Sequence, residues 1–350
     1  VSSSKSSGGD VDVPSLRIGD KWIYDAFMDV GTLLSDNGVS SNIQTITGEM
    51  DMEVIDILTM TVENQSTLVY KAEYEGLFEA NGVQLDGNTG NLDVGYLETD
   101  YIRVSDLAMI SMSMDIEVDF TVFIFTVDVA DIVIQNTYEP PLESYDFPLR
   151  VGDTWTNNYT NNVTWGGSSD YFTIPDDTTA QSTSRHSVVS QGDPGVPYSG
   201  CGGSYNITTY NQTWSPEGFL WWCPAVKNNA WRSIYIDLGM TVDFKLKSVD
   251  LVTRNTDIDV EFAYPAWPLD TNLSTWVNIT DGSGNPLGSQ TIEFRYECVG
   301  FSAMLTTASN GSAFIRFDTA HALDPSPSWI SPAEYASHGV IAWISGSKTL

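Results

Sequence analysis

The sequence predicts an all-β protein: two tandem, related antiparallel β modules, each a sandwich or a half-barrel, followed by a C-terminal β domain of shorter strands. Three observations carry this expectation. Apolar and polar side chains alternate over long runs, most plainly where Ile110, Met112, Met114, Ile116, Val118, Phe120 and Val122 interleave with Ser111, Ser113, Asp115, Glu117, Asp119 and Thr121. A period of two puts one set on a buried face and the other in solvent, and helical periodicity is scarce along the chain. A stretch near the start, PSLRIGDKW at 14–22, recurs as FPLRVGDTW at 147–155, a domain-sized interval. From Thr271 onward the strands shorten and turn residues crowd between them.

Residues 1–13 read as a polar tail whose Ser-rich and Gly-rich composition gives it little to pack. Module 1 spans 14–146 and opens on the repeat, where Gly19 permits a tight turn, Asp20 bonds the local backbone and Trp22 enters the core. GEMDMEVIDILTMTVE and STLVYKAEYEGLFEA then alternate, with Met50, Met52, Val54, Leu58, Met60 and Val62 on one face of the first. The most apolar run, FTVFIFTVDVADIVI at 120–134, reads as a buried strand. Asp128 and Asp131 interrupt it, and it is shorter than the roughly 20 apolar residues a membrane helix needs.

The Pro-rich EPPLESYDFPL at 139–149 marks the first seam. Module 2, 147–263, repeats the arrangement at Gly152, Asp153 and Trp155. A second matched pair, DLAMISMSMDIEVDF at 106–120 and DLGMTVDFKLKSVDL at 237–251, keeps nearly the same separation and argues for duplication. YPAWPLD at 264–270 marks the next seam, leaving 264–350 as the last domain.

In that last domain, VNITDGSGNPLGSQTIEF sets a turn of Asp281 to Pro286 between two apolar runs, and Asn310-Gly311 is a hairpin signal. The order Val277, Asp281, Gly284, Asn285, Pro286, a strand from Thr291 to Phe294, then Thr307, Asn310, Gly311, Ala313 and Ile315 resembles an invasin-type, bacterial immunoglobulin-like domain. The resemblance covers the last quarter of the chain and implies an immunoglobulin-like β-sandwich from a family of surface spacers and adhesins. ALDPSPSWISPAEYASHG at 322–339 departs from that pattern as an insertion.

Composition bounds the partners. With 46 Asp and Glu against 15 Lys and Arg, the formal charge of −31 repels phosphate backbones and anionic headgroups, which disfavours nucleic acid and polybasic membrane contact. Only 17% of residues are charged, below the roughly 25% of an average soluble protein. Ser, Thr, Asn and Gly supply the polarity instead, as in secreted β proteins, so the expected location is extracellular, at the cell surface. The chain starts without an initiator Met or a signal-peptide apolar stretch, as a mature product would. Export would make Asn64, Asn158, Asn162, Asn206, Asn211, Asn272, Asn278 and Asn310, each in an N-x-Ser/Thr triplet, candidate glycosylation sites.

Cys201 and Cys223 bracket a Gly/Asn/Trp-rich segment, and a disulfide between them would close a loop worth about 3 kcal/mol. Cys298 shares a strand face with Ile292, Phe294 and Tyr296 and reads as a buried thiol packing as a small hydrophobe.

The sequence carries no nucleophile elbow, zincin motif, P-loop or dinucleotide fingerprint, so no enzyme is expected. His186, His321 and His338 are scattered, and the carboxylate pairs Asp176–Asp177 and Asp257/Asp259 follow from acidic composition. Neither a CxxC pair nor suitably spaced His offers zinc ligands. Calcium is the one cofactor with candidate ligands, at Asp281 with Asn285 and at Asp86 with Asp93. Neither group completes a loop pattern, and both read better as turns. Trp214, Trp221, Trp222 and Trp231 read as core packing around the crosslink or as an aromatic ligand platform, with Trp214 the best exposed candidate.

Two functions follow. The first is a structural or adhesive cell-surface protein that associates with itself or with other surface molecules, assembling into a filament or lattice by strand addition at open sheet edges. In keeping with this, the chain resembles secreted surface proteins of archaea and environmental bacteria more than any enzyme family. The alternative is a secreted module that binds a glycan or a lipid, which a deep apolar pocket would favour and a filled core would oppose.

Overall fold

The structure, a computed structural model, describes residues 13–36, 38, 40–85, 87–169, 171, 173–236, 240–252, 256–262, 272–281, 284–296, 301–318 and 340–344. The N-terminal tail up to residue 12, Asp86, Cys298, His321, His338 and the 322–339 insertion lie outside the described residues. The protein is all-β, with antiparallel sheets.

Twelve strands form one closed barrel. In order they are β1 (Lys21–Asp29), β2 (Thr45–Val62), β3 (Gln65–Leu85), β4 (Asn88–Arg103), β5 (Met109–Val122) and β6 (Phe125–Leu142), then β7 (Thr154–Ser169), β8 (Thr178–Gly192), β9 (Ser204–Tyr210), β10 (Pro216–Cys223), β11 (Asn228–Ile236) and β12 (Met240–Asp250). Each strand pairs with its sequence neighbours, and β1 pairs with β12, Trp22 facing Val249 and Met28 facing Val242, to close the ring. A short helix, α1 (Gly31–Asp36), lies in the β1–β2 connection.

This corrects the expectation of two separate modules. The repeat itself is a structural one: the Arg17–Asp20 turn is closed by Asp20 N donating to Arg17 O at 3.0 Å, and the Arg150–Asp153 turn by Asp153 N to Arg150 O at 3.1 Å. Gly19 (φ 90°) then donates to Val54 O at 2.7 Å, and Gly152 (φ 98°) to Val188 O at 2.8 Å. The copies are halves of one barrel, β1–β6 and β7–β12. A six-stranded half would leave two rows of unpaired backbone groups, and joining β6 to β7 and β12 to β1 satisfies both. The second matched pair does not correspond: Asp106–Phe120 falls mostly on the fifth strand of its half, and the described part of 237–251 on the sixth. The 120–134 run is no single buried strand either, because it turns at Phe123–Ile124 between β5 and β6.

The core lies on the inward faces, where Trp22, Met50, Tyr70, Phe78, Met114, Ile116 and Trp222 are fully buried. A disulfide joins Cys201 to Cys223, 22 residues apart, at the end of β10.

The second compact unit takes in Ile57–Val69, Arg103–Ser105 and the chain from Val252 onward. Its strands are β13 (Thr256–Phe262), β14 (Asn272–Asp281), β15 (Thr291–Tyr296), β16 (Phe301–Thr306), β17 (Ser312–Asp318) and β18 (Val340–Ile344). They form two three-stranded sheets, β13-β14-β17 and β16-β15-β18. Val277, Ile279, Ala313 and Ile315 of the first sheet and Ile292 and Phe294 of the second share one buried cluster. The Asn310-Gly311 turn, expected to close a hairpin, carries the chain from one sheet to the other, as does the turn after Asp281. Turn chemistry specifies a reversal of direction and leaves open which sheet receives the next strand.

Candidate functional site

Inside the barrel, at the rim where the β3–β4 and β5–β6 hairpins turn, lies an apolar cavity of about 70 Å³. Met28 and Ile46 line it from β1 and β2, Leu92 and Val94 from β4, Ile116 and Val118 from β5, and Ala130 and Ile132 from β6. Strand alternation accounts for most of the lining, and Leu34 of α1 and Tyr171 of the β7–β8 connection complete it. The volume is several times the roughly 10–15 Å³ that holds one water, and an apolar lining gives water no partners.

Beneath this lining the interior turns polar. The next inward residues of β4 after Leu92 and Val94 are Tyr96, Glu98 and Asp100, with Glu98 and Asp100 wholly buried. Tyr96, opposite Ile116, packs edge-on against Phe78 at 6.4 Å and donates its hydroxyl to Glu98. Glu98 Oε1 and both Asp100 oxygens have no donor in reach. Burial pushes the Asp100 carboxyl well above the ordinary range, and the charge of Glu98 adds to the rise while Arg232 opposes it. The shift favours the protonated form of Asp100, whose proton would be a donor to Glu98.

Arg232 enters from β11, in register between Leu220 and Phe244. Burial alone would lower its pKa, but Tyr74, Glu98, Asp100 and Tyr145 reverse the effect and hold the guanidinium above its ordinary value. The Arg232 guanidinium opposes the two acidic side chains, the arrangement that limits the cost of burying charge. Tyrosines surround it. Tyr24 donates to Asn229 O at 3.1 Å, and Tyr145 donates to Asn229 Oδ1 at 3.0 Å, its own pKa pushed up by burial to about 12.

The candidates drawn from the sequence lie elsewhere. Trp214 sits in the β9–β10 turn, 51% exposed, with Arg185 at 4.8 Å over its ring and Tyr210 at 5.5 Å, so one face of the platform is already covered. Trp222 packs in the core against Tyr145 and Phe147. Trp231 meets Phe219 edge-on, under Lys245. His186 is buried and neutral, its pKa lowered to about 4 by burial, stacked on Trp155 at 5.1 Å and within hydrogen-bond distance of Ser184, Asn157 and Thr209.

Asp281 accepts from Asn285 N at 2.8 Å and from Asn285 Nδ2 at 3.0 Å, a turn closed on itself. Asp93 is half-buried on β4 opposite Asp119. Among the described residues no three His, Cys, Asp or Glu side chains gather as a metal set. Of the sequons, Asn64, Asn158 and Asn310 are exposed, Asn162, Asn206, Asn211 and Asn278 half-buried, and Asn272 lies at the start of β14. Asn206 Oδ1 is buried without a partner, and Asn211 Oδ1 caps its own turn by accepting from Thr213 and Ser215.

The sequence reading missed Glu98, Asp100 and Arg232 because they are polar residues at inward positions, where sorting by polarity expects apolar ones. The available signal was parity, since counting in twos from Leu92 and Val94 leads inward to positions 98 and 100. Comparison with protein-family models, with curated proteins and with solved structures gives no match for this chain.

Proposed function

We propose that the barrel binds a small apolar or amphipathic molecule, with the apolar part of the ligand in the cavity under the β3–β4 and β5–β6 turns. The single observation behind this reading is the apolar cavity inside a closed sheet, since closed barrels hold small ligands in their interior. The buried Tyr96–Glu98–Asp100 layer supports it further, because buried acidic side chains near a cavity, with Asp100 pushed up by burial, are expensive to keep and concentrate at working sites. The alternating Ser111, Ser113, Asp115, Glu117 and Asp119 of β5 oppose a membrane-spanning barrel, whose outer band is apolar. Among the described residues no helix is long and apolar enough to cross a membrane.

The test is titration with xenon, an apolar atom small enough for a cavity of about 70 Å³. The wild-type chain should shift the xenon NMR resonance saturably. Ile116→Trp, which fills the cavity from β5, should weaken binding at least about tenfold, the loss expected when a buried apolar contact surface is denied. Equal binding by the variant would end the reading.

An extracellular adhesive or assembling role keeps support from the C-terminal unit. Its strand orders and shared core suit an immunoglobulin-like sandwich, and β13 with β17, and β16 with β18, stand at the outer positions of its described sheets. The closed barrel offers no edge for strand addition. The disulfide and the exposed sequons fit an oxidising, exported setting. Electron microscopy with sedimentation velocity decides the role: filaments or concentration-dependent growth support it, and a monomer at every concentration removes it.

A further inference from the structure

We propose that the tip of the β5–β6 hairpin is a membrane-docking element that inserts into the surface of a zwitterionic lipid bilayer. The two-residue turn joins Val122 to Phe125, which face each other across the hairpin. Phe123 is 95% exposed, Ile124 85%, Phe125 71% and Val127 53%. Ala130 is the last described β6 residue paired with β7, opposite Ser169, whose hydroxyl donates to Val129 O at 3.3 Å. The apolar tip at Phe123–Ile124 thus lies beyond the last described β6–β7 pair, while on its other side β4 runs alongside as far as Asn88.

Neither folding nor packing explains these residues. Phe123 has φ 58°, a left-handed conformation that hairpin turns ordinarily give to Gly, Asn or Asp. A large apolar side chain in that position, left in water, serves no turn and fills no core. Exposed contiguous apolar surface of this kind marks an interaction site.

Area and charge select the partner. Four such side chains present on the order of 500 Å², short of the roughly 800 Å² each partner contributes to a standard protein interface. Their projection from a narrow turn also gives a folded partner or a second copy little shape to match. A bilayer requires no complementary shape, and side chains that reach the acyl boundary bury their whole surface. A net charge of −31 repels both another copy and an anionic membrane. Close to the tip, Asp119 faces Asp93 on one side and Asp128 on the other. A zwitterionic surface avoids that repulsion. Val118 and Val129 of the same hairpin line the cavity, so docking would bring the barrel's apolar interior to the lipid. The inference concerns a different surface from the cavity and stands whether or not the cavity holds a ligand.

The test is co-sedimentation of the full chain with phosphatidylcholine vesicles, wild type against the combined variant Phe123→Ser, Ile124→Asn, Phe125→Ser. Because the three side chains are exposed, the variant should keep the wild-type circular dichroism spectrum. Wild type should bind with little dependence on salt, and the variant's partition coefficient should fall at least about tenfold. A separate Ile124→Trp variant should show a blue shift of its added emission on mixing with the same vesicles. The proposal is overturned if wild type stays in the supernatant, if the combined variant binds equally, or if binding requires anionic lipid. Tip-dependent self-association without vesicle binding, seen by sedimentation velocity, would likewise overturn it in favour of a second copy.

Discussion

Asp100 is the residue at which the barrel interior departs most from a simple apolar core. Its raised pKa means that the folded protein holds the proton more tightly than the unfolded chain does. The sign follows from linkage: this group's contribution is fully present below the unfolded value of about 3.9 and is lost as pH rises toward the folded value, at about 1.4 kcal/mol per pH unit. Asp100→Asn removes the titration while keeping a polar side chain of similar size. The variant should therefore gain in melting temperature relative to wild type, and the gain should widen from pH 4 to pH 7. Two melting curves that run parallel across that range would show that Asp100 carries no such proton. His186 shifts the other way, so its neutral form contributes stability that is lost as pH falls from about 6.5 toward about 4. Comparing wild type with the Asp100 variant at each pH cancels that term. None of this was legible residue by residue. In GYLETDYIR the inward positions are Tyr96, Glu98, Asp100 and Ile102 while Leu97 is 47% exposed, so the usual sorting by polarity fails. Only the phase carried over from Leu92 and Val94 identifies the inward face.

At the scale of elements, local chemistry was readable and the identity of partners was not. Alternation over 109–122 specified β5, and the Gly-Asp turn before Trp22 and Trp155 specified two equivalent reversals, because a left-handed glycine and a short carboxylate suit that geometry. Both tryptophans then find acceptors, Trp22 at Val226 O (2.8 Å) and Trp155 at Glu143 O (3.1 Å). The run 120–134 misled for a physical reason: Phe123, Ile124 and Phe125 have the composition of a strand interior and none of the usual turn residues, so propensity continues the strand where the structure reverses it. The matched pair at 106–120 and 237–251 misled differently. Any two amphipathic strands share a period-two pattern, and pattern alone cannot number a strand within its sheet. Gly167, at φ 96°, lies so close to the Asp131 carbonyl that a Cβ would collide with it, yet nothing adjacent in the sequence announces this contact between β6 and β7.

For the molecule as a whole, the recurring turn before Trp22 and Trp155 suggested two related halves, and closure decides how the two halves are joined. Two copies of a six-stranded sheet can each fold on themselves, or each can supply the edges the other lacks. The pairing of β1 with β12 and of β6 with β7 is the second arrangement. Neither half then has a complete interior. Tyr24 from the first half donates to Asn229 of the second, Trp22 reaches Val226, and the charged layer draws Glu98 and Asp100 from one half and Arg232 from the other. Separating the halves would expose two edges on each and would leave the Asp100–Glu98 pair without its opposing guanidinium, a loss that buried carboxyls tolerate poorly. Expressed alone, residues 13–146 and 147–251 should therefore lack a cooperative thermal transition. Mixed under oxidising conditions, which preserve the Cys201–Cys223 bond, they should form a one-to-one complex whose near-ultraviolet circular dichroism and single melting transition match those of the joined barrel. Independent cooperative unfolding of either half as a monomer would restore the two-module view and would mean that the shared interior is an arrangement the halves adopt, not one they require.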